Sequence, residues 1–122
     1  MKRVVVLLES SREFGRQVII GITRYARING PWAFFKRPMD LKPSFPHLAG
    51  SKPDGLIMRD SPRTRELLKL NIPSILVVDD SSYPKSLPSV ITDSKSIERM
   101  ASTHFIEKGF RNLAFCGFDK HD

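Results

Sequence analysis

Charged side chains of both signs fall where apolar segments of this 122-residue chain end: Glu9 and Arg12 after Val4–Leu8, Arg59 and Asp60 after Leu56–Met58, and Asp79 after Ile75–Val78. Asp93 and Ser94 stand where a helical pattern opens, and Phe14 lies two residues beyond Arg12. A carboxylate accepts hydrogen bonds from neighbouring hydroxyls, a guanidinium donates through a planar fork, and an aromatic face covers apolar C–H surface. That inventory suits a small polyhydroxylated ligand. Any buried strand also tends to end in a polar residue as it reaches water, so each residue alone reads equally well as a solvated strand end. Both charge signs set directly after apolar runs favour binding for the group.

Other chemistries lack their signatures. The seven glycines never fall two apart, which excludes a dinucleotide fingerprint, and no Gly-Lys-Ser/Thr of a phosphate loop occurs. Cys116, His104 and His121 share no metal-ligand spacing. No nucleophile elbow precedes a helix. His104 lies on an apolar helix face, where a packed histidine is far commoner than a catalytic one. The expectation is a binding protein, with no enzyme activity, no cofactor and no metal.

Composition bounds the class. At 40% hydrophobic and 27% charged residues, the chain reads as one soluble globular domain. The apolar run Val4–Leu8 is too short to cross a bilayer, and Glu9 interrupts it without a cleavage site following. The single cysteine, Cys116, forbids an internal disulfide and agrees with a cytoplasmic location. The formal net charge of +7 raises the question of nucleic acid. Its cations are scattered rather than clustered, Arg12 beside Glu13 and Arg65 beside Glu66, whereas tracking phosphates requires many neutralised together. The charge reads as a solvated basic surface.

The elements that would position the polar residues alternate between strand and helix. Arg3–Leu8 is a β-branched and leucine run typical of a strand buried on both faces. Phe14, Val18, Ile22, Tyr25 and Ala26 recur at helical spacing over Phe14–Ile28, which Asn29-Gly30-Pro31 terminates. Gly21 inside that helix implies a close backbone approach, since glycine there costs roughly 1 kcal/mol. Trp32–Lys36, Asp54–Arg59 and Ser74–Val78 read as further strands, Pro62–Leu70 as a helix, and Ser89–Thr92 as a short extended piece. Four prolines within Arg37–Pro53 leave room for a short helix at most, over Pro46–Ala49. Ile97, Met100, Ala101, His104 and Phe105 line one face of a helix with Asp93 or Ser94 as N-cap and Gly109 as its stop. Leu113–Phe118 reads as the fifth long strand.

Strands separated by helices of this length predict βαβ units: an α/β fold with a doubly wound parallel sheet of about five strands. Ligands of such sheets bind outside the carboxyl ends of the strands. That edge gathers the loops Glu9–Glu13, Lys36–Asp40, Arg59–Ser61, Asp79–Ser82 and Gly117–Lys120, while Thr92–Ser94 opens a helix with free backbone N–H groups. Trp32 begins its strand and belongs to the opposite edge, as packing.

The order Gly15-Arg16, Gly21-Ile22, Arg24-Tyr25-Ala26-Arg27 and Gly30-Pro31-Trp32 resembles the first helix and second strand of xylose-operon regulators. Asp54-Gly55-Leu56-Ile57, Ile72-Pro73 and Asp79 are similar to the lac-repressor-type effector-binding fold. So is Asp93 followed by Ala101, His104, Phe105, Gly109 and Leu113-Ala114-Phe115. The resemblance covers essentially the whole chain, with Ser94 where the motif usually has Asn and Glu98 where it usually has Gly.

This resemblance implies the N-terminal lobe of a type I periplasmic-binding-protein-like fold, residues 1–122 being a piece of a longer regulator. The first strand begins at Arg3, without the helix-turn-helix that lac-repressor-type proteins place first, whereas xylose-type regulators carry an AraC-type DNA-binding module at the far end. The implied ligand is a pentose such as xylose, on Glu9, Arg12, Phe14, Arg59, Asp60, Asp79, Asp93 and Ser94. The implied partners are DNA, through that absent domain, and a second copy in a homodimer; no membrane contact is expected.

Two other readings remain open at this level. One is a free-standing cytoplasmic solute-binding module. The other is a receiver-like phosphoacceptor, with Glu9, Asp60 and Lys120 in loosely comparable places; there Arg59 would compete with the Mg²⁺ such sites need.

Overall fold

The computed structural model describes residues 1–36, 50–77, 83–84 and 86–117. Its elements are β1 (Lys2–Leu7), α1 (Glu13–Asn29), β2 (Trp32–Lys36), β3 (Gly55–Arg59), α2 (Thr64–Leu68), β4 (Ser74–Val77), β5 (Ser89–Val90) and α3 (Ser94–Glu107). The five strands form one sheet in the order β2-β1-β3-β4-β5, every pair parallel. The chain is therefore α/β with a five-stranded parallel sheet. It divides into two compact units, Met1–Ile91 and Thr92–Asp122.

The first unit is built from strand alternation. Successive side chains of a strand point to opposite faces. Val4, Val6 and Leu8 accordingly join Val77 on one face, where Val18, Ile19 and Ile22 of α1 cover them. Val5 and Leu7 join Leu56, Met58 and Leu76 on the other, against Leu67 and Leu68 of α2. The run is apolar throughout because β1 is internal to the sheet and covered on both sides. Trp32 packs at the start of β2, its ring 5.6 Å from Tyr25 and 5.9 Å from Phe34, as expected of a residue at the far edge.

Chain direction reverses about β1: the first crossover leads outward to β2, and the next returns across β1 to β3. In a sheet of order 2-1-3-4-5 the gap between the carboxyl ends of β1 and β3 is the topological switch point, where loops diverge and leave a crevice. The register pairs Val4 with Gly55 and Leu7 with Met58, which brings the segments after Leu7 and Met58 to one place.

Several local features differ from the sequence pattern. Gly21 has open space where a Cβ would stand. The close approach belongs to Gly15, whose Cβ would lie 1.7 Å from the Glu9 carbonyl oxygen. The helix expected over Pro62–Leu70 is only α2, because Pro62 and Arg63 form a turn and Lys69 and Leu70 another. The expected short helix at Pro46–Ala49 lies outside the described residues.

In the second unit, α3 starts at Asp93, which caps it through Ser96, and ends in a glycine motif. Gly109, at φ +90°, donates to the Ile106 carbonyl at 2.9 Å, and Phe110 donates to the Phe105 carbonyl at 3.0 Å. The Phe105 and Phe110 rings meet edge-on at 5.9 Å, the apolar contact that accompanies this paired-bond ending. No residue of α3 is buried. The fifth long strand expected at Leu113–Phe118 is absent over 113–117, and Phe118 lies outside the described residues. A strand exists by pairing its backbone groups; the fifth described strand is Ser89–Val90, which pairs with β4.

Candidate functional site

At the neighbouring carboxyl ends of β1 and β3, one side of the candidate site is the loop into α1. Glu9, Arg12 and Phe14 are all exposed there, the last with half of its surface in water. Ser11 donates its hydroxyl to the Glu9 carboxylate. Arg12 is the N-cap of α1 in an extended conformation and makes no side-chain cap bond.

Arg16 holds this loop in shape. Its guanidinium donates to the Ser11 carbonyl at 2.9 Å and to the Ser10 carbonyl at 3.2 Å, and it pairs with Glu13 at 2.7 Å. Hydrogen bonds from Gln17 and Arg16 hold the Glu13 carboxyl below the usual glutamate range. A guanidinium can serve three acceptors at once because its donors lie in a fixed fork. Gly15 completes the wall, since only a residue without Cβ lets α1 begin against the Glu9 carbonyl.

The other wall begins where β3 ends. Arg59 and Asp60 are half-buried. Asp60 accepts a hydrogen bond from the Tyr83 hydroxyl, 23 residues on. Immediately after it, the Ser61 N–H donates to the Thr64 hydroxyl at 2.9 Å and the Arg63 N–H to the Ser61 hydroxyl at 3.2 Å. Thr64 is completely buried, so its hydroxyl serves the turn and not solvent. Burial first, then the hydrogen bond and negative charge of Asp60, push the Tyr83 phenol above the usual tyrosine range.

The structure thus brings Glu9, Arg12, Phe14, Arg59 and Asp60 to one edge of the first unit. Asp79 lies outside the described residues. Asp93 and Ser94 belong to the second unit, where Asp93 is engaged in capping. Its carboxylate accepts from the Ser96 hydroxyl at 2.7 Å and the Ser96 N–H at 3.1 Å, which lower its pKa from the usual aspartate value. The sequence alone does not point to Gly15, Arg16, Thr64 and Tyr83 at the site. Arg16 sits three residues after Glu13, a spacing that marks a helix-surface pair, but nothing local marks Tyr83 as a partner of Asp60.

A cavity of about 540 Å³ opens at the opposite edge of the sheet, among Trp32, Leu68, Ile72, Pro73 and Leu87. Its lining is mostly apolar, with Lys2, Asp54, Asn71 and Ser74 as polar side chains, whereas the edge at Glu9 and Asp60 carries two carboxylates and two guanidinia. Among the described residues no group of three or more His, Cys, Asp or Glu side chains could hold a metal, and no helix is long and apolar enough to cross a membrane.

No protein-family model matches the chain, and no curated protein matches it. Among solved structures, that of a xylose-binding transcription activator, XylR, superposes with a TM-score of 0.67 at 22% identity. The match covers 88% of this chain and 27% of that one, so the chain spans about a quarter of the activator's length. At this identity the two share a fold.

Proposed function

We propose that the chain is an effector-binding lobe of a transcription regulator that senses a pentose, xylose foremost, by reversible binding and not catalysis. One observation carries the reading. Glu9, Arg12 and Phe14 follow β1, and Arg59 and Asp60 close β3, at neighbouring carboxyl ends of a fold shared with a xylose-binding activator. Carboxylates would accept the sugar's hydroxyl protons, guanidinia would donate to its oxygens, and Phe14 would cover a C–H face. The balance of charges on this edge suits a neutral polyol better than an anion.

In this reading the chain is the N-terminal, periplasmic-binding-protein-like lobe of a cytoplasmic homodimer. A second lobe would close over the sugar because the ligand touches both walls only in the closed form, and that differential affinity shifts the equilibrium. Closure would alter the geometry offered to DNA by an attached domain. One wall alone gives xylose binding in the millimolar range or weaker, about −4 kcal/mol.

Titration of the ¹⁵N-labelled chain with xylose tests this. Amide shifts should move in a saturable way at Glu9, Arg12, Phe14, Arg59 and Asp60. Absence of movement there, or movement confined to the apolar cavity around Trp32 and Ile72, overturns the reading.

A further inference from the structure

We infer that Tyr83 is a positioning residue of the crevice, fixing the Asp60 carboxylate at the rim so that its remaining lone pairs accept from ligand hydroxyls. The inference deepens the pentose-binding reading and rests on it. Tyr83 is half-buried, packed against the apolar cluster of Val5, Leu7, Leu56, Met58 and Leu76 that lies beneath the rim. Its hydroxyl reaches the Asp60 carboxylate from that anchored base. A tyrosine so packed has its few torsions already fixed, so it holds a partner without ordering a long side chain.

Three hydroxyls therefore immobilise one short segment. Thr64 and Ser61 fix the backbone after Asp60, at 2.9 and 3.2 Å, and Tyr83 fixes the acid itself. A carboxylate has about four acceptor sites, so one donation from the phenol orients the group without exhausting it. An aspartate held in advance spares the ligand the cost of ordering it, which is how preorganisation raises affinity. The groups that act electrostatically on the phenol are Asp60, which opposes its ionisation, and Arg65 of α2, which favours it; the Thr64 hydroxyl bonds to it and also favours ionisation. Burial and Asp60 prevail, so the phenol stays protonated, as a donor must.

The test uses the whole chain, with Tyr25→Phe as background so that Tyr83 is the one phenol present. Absorbance titration near the phenolate band should place Tyr83 above the usual tyrosine range, and Asp60→Asn should bring it down; no movement overturns the contact. Separately, Tyr83→Phe should reduce the initial slope of the xylose isotherm about tenfold, the loss of a hydrogen bond to a charged group. In the Asp60→Asn background Tyr83→Phe should have no further effect. An equal reduction in both backgrounds overturns positioning through Asp60. Movement of the phenol titration together with no xylose binding by the parent chain overturns the pentose reading, and with it the binding role of Tyr83, while the Tyr83–Asp60 bond stands.

Discussion

Gly15 sits so close to the Glu9 carbonyl that a Cβ on it would lie 1.7 Å from the oxygen and 2.9 Å from the carbonyl carbon. The obstacle is backbone, so no side chain can swing away to make room. Gly15→Ala must push the start of α1 off the end of β1, with an expected cost of about 1–3 kcal/mol or more, the range of overpacking. Gly21, six residues on in the same helix, has nothing within 4 Å of a built Cβ. Gly21→Ala should therefore stabilise by roughly 0.8–1 kcal/mol through helix propensity alone. Urea unfolding of the two variants checks the opposite signs, and equal effects would show that α1 does not meet β1 in this way.

Met58 is wholly buried between strands and α2, while Phe105 keeps 44% of its surface exposed. Met58→Ala should cost about 2–5 kcal/mol as a core truncation. A buried Phe105 would by the same rule cost about 3–5 kcal/mol. In its observed place Phe105 instead braces the end of α3 against Phe110, and Phe105→Ala should stay below about 2 kcal/mol, the upper range of an aromatic pair with partial burial. The accompanying sign is faster hydrogen exchange at the Gly109 and Phe110 amides, whose bonds close the helix end.

The contrast between these two side chains marks how far the sequence could be read. Val4–Leu8 and Leu56–Met58 are apolar in every position because both faces of their strands are covered, and that pattern is local, so the strands and their polar ends were legible. The apolar stripe of Ile97, Met100 and Phe105 is equally regular, yet α3 has no buried residue. Periodicity reports a face that can be covered, not the surface that covers it. Residues 113–117 have strand composition without strand structure, because a ladder place is decided by backbone pairing with a neighbour. In the site, residue types at strand ends announced Glu9, Arg59 and Asp60. Their supports, Gly15, Arg16, Thr64 and Tyr83, act through contacts that exist only after folding. Tyr83 meets Asp60 across 23 residues, beyond any local spacing rule.

Acid should loosen α3, which its Asp93 cap holds at neutral pH. The Asp93 carboxyl is held below the usual aspartate value, first by the Ser96 hydroxyl and then by the Ser96 N–H. A group whose folded pKa is depressed contributes stability above its unfolded pKa, and that contribution is lost as pH falls through the folded value. The cap is therefore intact at neutral pH and fades below the ordinary aspartate range. Circular dichroism should show helicity declining through that acidic window in the parent chain. Asp93→Asn, which caps without titrating, should remove that part of the decline, and an unchanged profile would place the acid-sensitive group elsewhere.

Arg16 offers the sharpest separation of site geometry from stability. About half of its side chain is exposed, so its pair with Glu13 adds little to folding, within about 1 kcal/mol. Its donations to the Ser10 and Ser11 carbonyls nevertheless fix the loop that carries Glu9 and Arg12. Arg16→Ala should therefore leave the urea midpoint almost unchanged while broadening the amide resonances of residues 9–12 and flattening their response to xylose. Arg16→Lys should not restore that response, because a single ammonium cannot span Glu13 and two carbonyls with the geometry of a guanidinium fork. A lysine variant with the full parent response would mean that charge alone shapes the loop, and that the fork seen at Arg16 is incidental to it.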